Sequence, residues 1–402
     1  MSAYDGVECV SYWKTLLTGS IPQYLNAKPS KPSKGRAAIC DLLSNIGTDI
    51  FLLLKVSEQI FVKTILIGLA SSEEPVVVAA AIRGLGVIID YESMKEDVLF
   101  VIDVARIIIL QLCSHSVNVR LKAAWSLANL CDFISKNNFL LSEFPEALVQ
   151  DLLKYSTQAS LDNEKVSCNG VRALGNILNA LPKKIYAIDA LVKNIISAPM
   201  KTRWNACYAC RYIFVNKDFP IEFSDWNGKL FKALLEELNE CKNFKVRISA
   251  ACALASLSLR RSYGDCQLFL LVWREALVGL EKSEDLTDFT EFRHKDSLQF
   301  KITLLLFHLL SLATSEDLKL MCLETKKHDT IFMTHCLRIL AIVDEIDNQD
   351  QNAIILGSFL ADEKNKEELE QCCIKMRSNL KDLVKNSNNA KTIDLVKMAL
   401  LE

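Results

Sequence analysis

One motif returns along this chain and dictates what it can fold into. Its clearest copy is Val117-Asn118-Val119-Arg120-Leu121-Lys122-Ala123-Ala124-Trp125-Ser126-Leu127-Ala128-Asn129-Leu130. Ala123 and Ala124, with Leu127, Leu130 and Ile134 spaced three or four apart, predict a helix with one apolar face. The small residues let a second helix approach closely, and the leucines fill the gap between the two. Such a helix cannot bury its apolar face alone, so it requires a partner helix and a neighbouring copy.

Four further copies align on this one. Val77, Val119, Val166, Thr202 and Val246 share a column, at successive spacings of 42, 47, 36 and 44 residues. These values bracket the period of about 40–47 residues of HEAT and armadillo units and are too long for tetratricopeptide or ankyrin units. The small position holds Ala81, Ala123, Gly170, Ala206 and Ala250; the leucine position holds Leu85, Leu127, Leu174, Cys210 and Leu254. An apolar partner helix precedes each copy, near 55–70, 97–113, 146–158, 185–197 and 226–240. The predicted fold class is all-α, a right-handed HEAT/armadillo-type α-solenoid (an α-α superhelix). Helix pairs are centred near 37–50, 55–91, 97–134, 146–181, 185–216, 226–260 and 266–313, so that residues 1–315 form the array. Residues 316–402, with many Lys and Glu and one apolar stripe, read as a helical cap of the same array.

Composition narrows the function. The net charge of −2 and pI of 6.3 carry no global footprint for nucleic acid or an anionic membrane. Val98 to Cys113 is the longest nearly apolar stretch, but Asp103, Arg106 and Gln111 interrupt it, so it reads as a buried helix and not a membrane span. All prolines lie at or before Pro220, which favours long helices in the remainder. Fourteen scattered cysteines, with Asp5 and Glu8 ahead of any apolar run, predict reduced thiols in an intracellular protein, cytoplasmic or nuclear.

Several segments resemble one family. Asn118-Val119-Arg120 with Ala123-Ala124-Trp125-Ser126-Leu127, Arg172-Ala173-Leu174-Gly175-Asn176, Arg203-Trp204-Asn205-Ala206-Cys207-Tyr208-Ala209 and Cys241-Lys242-Asn243-Phe244-Lys245-Val246-Arg247 are similar to the HEAT-repeat-containing protein 6 family. Tyr12-Trp13-Lys14 with Leu17, Lys282-Ser283-Glu284-Asp285, Asp288-Phe289 and Glu291-Phe292 agree with it. The resemblance covers most of the chain, is weakest after about residue 315, and implies the C-terminal portion of a longer architecture. It implies a helical solenoid and brings no catalytic residue or cofactor. One departure stands out: where the family has asparagine in the third matched helix, this chain has Tyr212.

Chemistry-bearing patterns are weak. Cys207-Tyr208-Ala209-Cys210 has the spacing of a zinc or redox pair, but a zinc site needs two further ligands and none lies near in sequence. Both cysteines fall on small-residue and leucine positions, which reads as buried core. His115, His294, His308, His328 and His335 form no metal motif, and His308 sits in an apolar helix as a core side chain. Gly84-Leu85-Gly86 lies inside a helix and lacks the lysine of a phosphate loop. No serine stands in a nucleophile elbow. The expectation is a protein that is not an enzyme, with no cofactor, metal or small-molecule substrate.

Three charged features carry two readings each. Lys28-Pro29-Ser30-Lys31-Pro32-Ser33-Lys34-Gly35-Arg36 is a solvated linker or a basic docking signal. Ser283 to Phe292 reads as a helix capped by Ser283, or as an acidic docking face. Arg120, Arg203 and Arg247 share a column and either bridge repeats or form a phosphate-reading ridge, which Val78 and Ser167 interrupt.

The partner-binding residues expected from the sequence are Trp125, Asn129, Arg172, Asn176, Tyr208 and Tyr212. Trp125 and Asn129 are four apart and share a helix face; Arg83/Val87, Arg172/Asn176, Tyr208/Tyr212 and Cys252/Ser256 align with them. Trp-x-x-x-Asn resembles the armadillo peptide groove, where tryptophans line pockets and asparagines bond an extended backbone through an amide that both donates and accepts. The alternative is that Trp125 packs between repeats and Asn129 caps a local carbonyl. The functional expectation is a scaffold or adaptor holding a protein partner, such as an extended peptide, on its concave face. The second reading is a nucleic-acid or phosphate-binding solenoid using the arginine column and the basic segment. Nucleic acid and membrane are not the expected partners.

Overall fold

The computed structural model describes residues 3–26, 32–72, 74–181, 187–216, 226–284 and 289–314, with 316, 317, 320, 321 and 324 beyond. The chain divides into two compact units, Met1–Asn194 and Ile195–Glu402. The first contains α1 (Ala3–Thr15), α2 (Ile21–Leu25), α3 (Ser33–Ser44), α4 (Thr48–Leu53), α5 (Val56–Leu69), α6 (Pro75–Ile88), α7 (Val98–Leu112), α8 (Val117–Lys136), α9 (Glu146–Ser160) and α10 (Glu164–Ala180). The boundary falls in α11 (Ile188–Ser197). The second contains α12 (Met200–Val215), α13 (Trp226–Glu240), α14 (Phe244–Leu254), α15 (Cys266–Glu284) and α16 (Phe289–Leu312). No strand occurs among the described residues.

Each unit is two rows of helices. In the first, α3, α6, α8 and α10 lie side by side, and α5, α7 and α9 pack behind them. In the second, α12, α14 and α16 form one row and α13 and α15 the other. The repeated motif supplies the contact. Val77, Val119, Val166, Thr202 and Val246 are all buried, as are the whole alanine column and the whole leucine column. Burying one such leucine contributes about 1.5–3 kcal/mol, so the row is held mainly by this repeated face.

Close approach is visible at two glycines. A Cβ on Gly86 of α6 would meet Ser126 Oγ at 2.3 Å and Ser126 Cα at 2.8 Å, so α8 reaches the α6 backbone there. A Cβ on Gly170 of α10 would fall 2.2 Å from the Ala159 backbone of α9. Helix starts follow local chemistry. Pro75 opens α6, where its missing N–H costs nothing. Asp97, Asn163 and Asn243 accept bonds from first-turn N–H groups of α7, α10 and α14.

Two expectations are corrected. Ser283 does not cap a following helix: it is buried in the last turn of α15, and its hydroxyl donates to Leu280 O at 2.5 Å. The physical reason is that α15 stays apolar on one face through Leu280, so it runs on to Glu284. Residues 285–288 lie outside the described residues. Ser33 to Arg36 is not extended linker but the first turn of α3, after Pro32 at its N-cap, and Arg36 pairs with Glu74 at 2.5 Å. Residues 28–31, and the expected helices near 329–346, 362–385 and 390–401, lie outside the described residues.

Candidate functional site

The expected partner-binding residues fall in both units. Trp125 and Asn129 on α8, and Arg172 and Asn176 on α10, belong to the first; Tyr208 and Tyr212 on α12 belong to the second. Trp125, Asn129, Arg172 and Asn176 are all half-buried, whereas Ala124, Leu127, Ala128, Ala173 and Leu174 beside them are fully buried. The row therefore leaves this column accessible while sealing its flanks.

Both asparagines already have one duty. Asn129 Nδ2 donates to Gly86 O at 3.0 Å, and Asn176 Nδ2 donates to Ala128 O at 3.1 Å. Gly86 lies in the last turn of α6, where carbonyls lack an intrahelical donor; Asn129 supplies one. Ser126 adds a parallel bond, its hydroxyl donating to Ile82 O at 2.8 Å. Neither Asn129 Oδ1 nor Asn176 Oδ1 accepts a hydrogen bond among the described residues. Half of each amide thus ties neighbouring helices and half remains available. Arg172 makes only a 3.4 Å contact to Asn169 Oδ1 and no ion pair among the described residues. Arg83, the aligned arginine on α6, sits 3.5 Å from Asp41 and donates to Ser44 Oγ.

The arginine column is occupied. Arg120 reaches Asp162 with two bonds, of 2.7 and 3.2 Å, and also donates to Ser114 O. Burial alone would push the Asp162 carboxyl up, but the Arg120 guanidinium and the Asn163 N–H hold it below the usual range. Arg203 donates to Ala198 O and pairs with the buried Glu237 at 3.2 Å; Arg247 is buried and donates to Leu238 O. These guanidinium groups join successive segments of the array, which is the bridging reading of that column.

Cys207 and Cys210 are fully buried on α12. Burial pushes the Cys207 thiol well above its ordinary value and the Cys210 thiol up to about 12, so neither is poised as a thiolate. No group of three or more His, Cys, Asp or Glu side chains among the described residues is arranged to hold a metal. His308 is half-buried rather than core, and its Nε2 bonds Leu257 O at 2.7 Å. A shallow depression between α13 and α15 is lined by Lys232, Glu236, Asn239 and Glu275, without a nucleophile.

On α12, Tyr208 and Tyr212 are 42% and 43% exposed, edge-to-face with centroids 5.1 Å apart and hydroxyls 3.2 Å apart. Trp204 (37% exposed) and Val215 (60%) extend this exposed face, and the sequence reading missed both. A helical wheel would have found them, since positions four apart share a face. What hid them is that α12 is apolar on both sides, so periodicity alone does not say which side is covered.

Comparison with known proteins comes down to the fold. No family model matches the chain. A protein of Dictyostelium discoideum described only as uncharacterised is 25% identical over 406 aligned positions, covering 71% of this chain. The chain spans about a quarter (27%) of that relative's length. An engineered protein of known crystal structure superposes with a TM-score of 0.56 at 16% identity, covering 96% of this chain and 81% of its own. The fold is of the armadillo/HEAT type. Lower similarity extends to a computationally designed armadillo repeat protein for modular peptide recognition (TM-score 0.42, 21% identity, 58% of this chain and 97% of its own). Kap121p gives a TM-score of 0.48 at 14% identity, covering 99% of this chain and 38% of its own. No described helix is long and apolar enough to cross a membrane.

Proposed function

We propose that the protein is a non-enzymatic scaffold that holds a protein partner, through an extended segment, along the column Trp125, Asn129, Arg172 and Asn176. The observation that carries this reading is the half-used asparagine amide. On α8 and α10 the Nδ2 of Asn129 and of Asn176 is anchored to a neighbouring helix, which fixes the orientation of each side chain. Each Oδ1 is left as an acceptor, able to take an N–H from an extended backbone, and Trp125 stands one turn before the first of them. Pre-anchoring lowers the ordering cost of binding, because the amide need not be immobilised by the partner. Tyr208 and Tyr212 serve the same purpose in the second unit through aromatic contact instead of amide bonding. The face bearing this column is taken as the concave one.

The scaffold reading outranks a phosphate-reading ridge because Arg120 and Arg203 are committed to Asp162 and Glu237. A cytoplasmic or nuclear location is part of the same proposal, supported by the scattered cysteines of the sequence. Kinship with the HEAT-repeat-containing protein 6 family belongs to the same proposal and is supported by the motif resemblance. The domain reading, an array to residue 315 followed by a cap over 316–402, is likewise proposed.

A photo-crosslinking residue at Lys122, beside Trp125, tests the reading in cells. The crosslinked protein species formed by the native chain should be lost when Trp125→Ala is introduced, with the thermal midpoint lowered only modestly. Crosslinks that survive Trp125→Ala, or a variant that unfolds outright, would remove the column from the binding role.

A further inference from the structure

Helix α12 carries an unusual outer face. At 100° per residue, Met200, Lys201, Trp204, Tyr208, Arg211, Tyr212 and Val215 fall within about 120° of its circumference. All seven are exposed, although eight of the other nine residues from Thr202 to Phe214 are buried. The face runs the full length of the helix, about 22 Å. Contiguous exposed apolar surface of this kind marks a docking site more often than free surface.

Charge says what docks there. Helices α12 and α14 contain Lys201, Arg203, Arg211, Lys245 and Arg247 and not one Asp or Glu. Arg203 and Arg247 are engaged with Glu237 and Leu238 O, but Lys201, Arg211 and Lys245 project as exposed cations. Arg211 makes no ion pair among the described residues. From α16, Lys301 lies within electrostatic reach of Arg211 and Cys252. Burial, with Arg211 adding to it, depresses the Lys301 pKa, so an incoming carboxylate would relieve a repulsion already present.

We infer that the exposed face of α12, with Arg211 at its centre and Lys301 beside it, binds a short acidic peptide segment with interspersed large apolar side chains. Aromatic rings with arginine could also suit single-stranded nucleic acid, whose bases stack on exposed rings. The ring geometry argues against it. Tyr208 and Tyr212 stand at 84° to each other and share a hydroxyl bond, so the two cannot both offer a face to parallel bases. Three exposed cations also make a poor track for a phosphate backbone. A peptide has no such constraint: apolar side chains settle against Trp204, the tyrosine edges and Val215, and carboxylates meet Arg211. An extended segment of about seven residues covers the 22 Å face.

The inference rests on the scaffold reading in general and shares Tyr208 and Tyr212 with it, yet it is carried by Trp204, Arg211 and Val215, which the Trp125 column does not use. The test is fluorescence anisotropy with the full chain and a labelled peptide of about seven residues alternating Asp or Glu with Leu or Phe. The native protein should bind it, and the matching Lys-for-acid peptide should not. Trp204→Ala and Arg211→Glu should each weaken binding about tenfold or more, as for central aromatic and arginine anchors. Both sites are exposed, so each variant should keep the native helical spectrum, and Arg211→Lys should recover part of the affinity. Trp125→Ala should leave this peptide's binding unchanged, which separates failure of the column reading from failure of this one. Absence of binding to the native chain, equal binding of the lysine peptide, displacement by a thymidine oligonucleotide, or unchanged affinity in Arg211→Glu would each overturn the inference.

Discussion

Asn129 donates its side-chain amide to the carbonyl oxygen of Gly86, 43 residues earlier in the chain, across the α6–α8 contact. Asn176 repeats the relationship one helix on, with Ala128 as acceptor. A residue type that the sequence offered for partner recognition is thereby also a tie between repeats, and mutation should show both roles.

Asn129→Ala and Asn176→Ala should each lower stability by about 0.5–1.5 kcal/mol, the net value of one such bond. Chemical denaturation measures this. Unchanged stability would mean that water replaces the amide at no cost; a loss several times larger would mean that the side chain packs rather than bonds.

The Gly86–Ser126 approach predicts a steric effect. Gly86→Ala places a methyl group against Ser126 Oγ, Cβ and Cα, and backbone cannot rotate away. The cost should be about 1–3 kcal/mol, the usual range for overpacking. Ser126→Ala in the same background should not restore stability, because the Ser126 Cβ and Cα remain in the way. Full rescue would show that only the hydroxyl was at fault.

Acid should weaken the second unit through Asp317. Its carboxylate accepts from Arg260 Nε and Nη2 at 2.6 and 2.7 Å and from Thr314 N at 3.0 Å, and its side chain is 1% exposed. Burial pushes its pKa up, but the Arg260 and Thr314 bonds prevail and hold it at about 2, below the ordinary 3.8. A depressed folded-state value means that its stabilisation is complete above the ordinary pKa and is lost as pH falls from about 4 through about 2. The shift corresponds to roughly 2–3 kcal/mol. Urea midpoints for native and Asp317→Asn proteins should differ most near neutral pH and converge towards pH 2; a constant difference would contradict the linkage.

Among the described cysteines, thiol labelling of the folded protein should start at Cys113, which is exposed, and spare Cys131, Cys207 and Cys210. Burial pushes Cys131 and Cys210 up to about 12 and Cys207 higher than ordinary thiols. Mass spectrometry after a short alkylation pulse reads the order directly. Early modification of Cys207 or Cys210 would mean that α12 opens locally.

Much of the helix row was legible because its signal is repeated. The same valine, alanine and leucine columns recur five times, and every member is buried. Repetition averages away the ambiguity of any single helix. The site was less legible. An asparagine can donate to any carbonyl in reach, so nothing in Asn129 or Asn176 names Gly86 or Ala128 as acceptor. Ser283 misled because a serine before acidic residues fits a helix start as well as a helix end. The exposed face of α12 escaped because Trp204 and Val215 are as apolar as the buried Ile213 and Phe214 beside them. Only packing separates the two sets.

The side-chain bonds to backbone carbonyls between helices in the first unit share a polarity. Ser126 donates to Ile82 O, Asn129 to Gly86 O, Asn176 to Ala128 O and Gln111 to Ala70 O. In all four, the donor comes later in the chain and the acceptor is backbone already laid down. A ribosome releases the chain from its N-terminus. For these bonds each emerging helix brings its own donor to a backbone already laid down, and water can serve the waiting carbonyls meanwhile. Along this row the carbonyl bonds close like a zip drawn in one direction, in the order of synthesis.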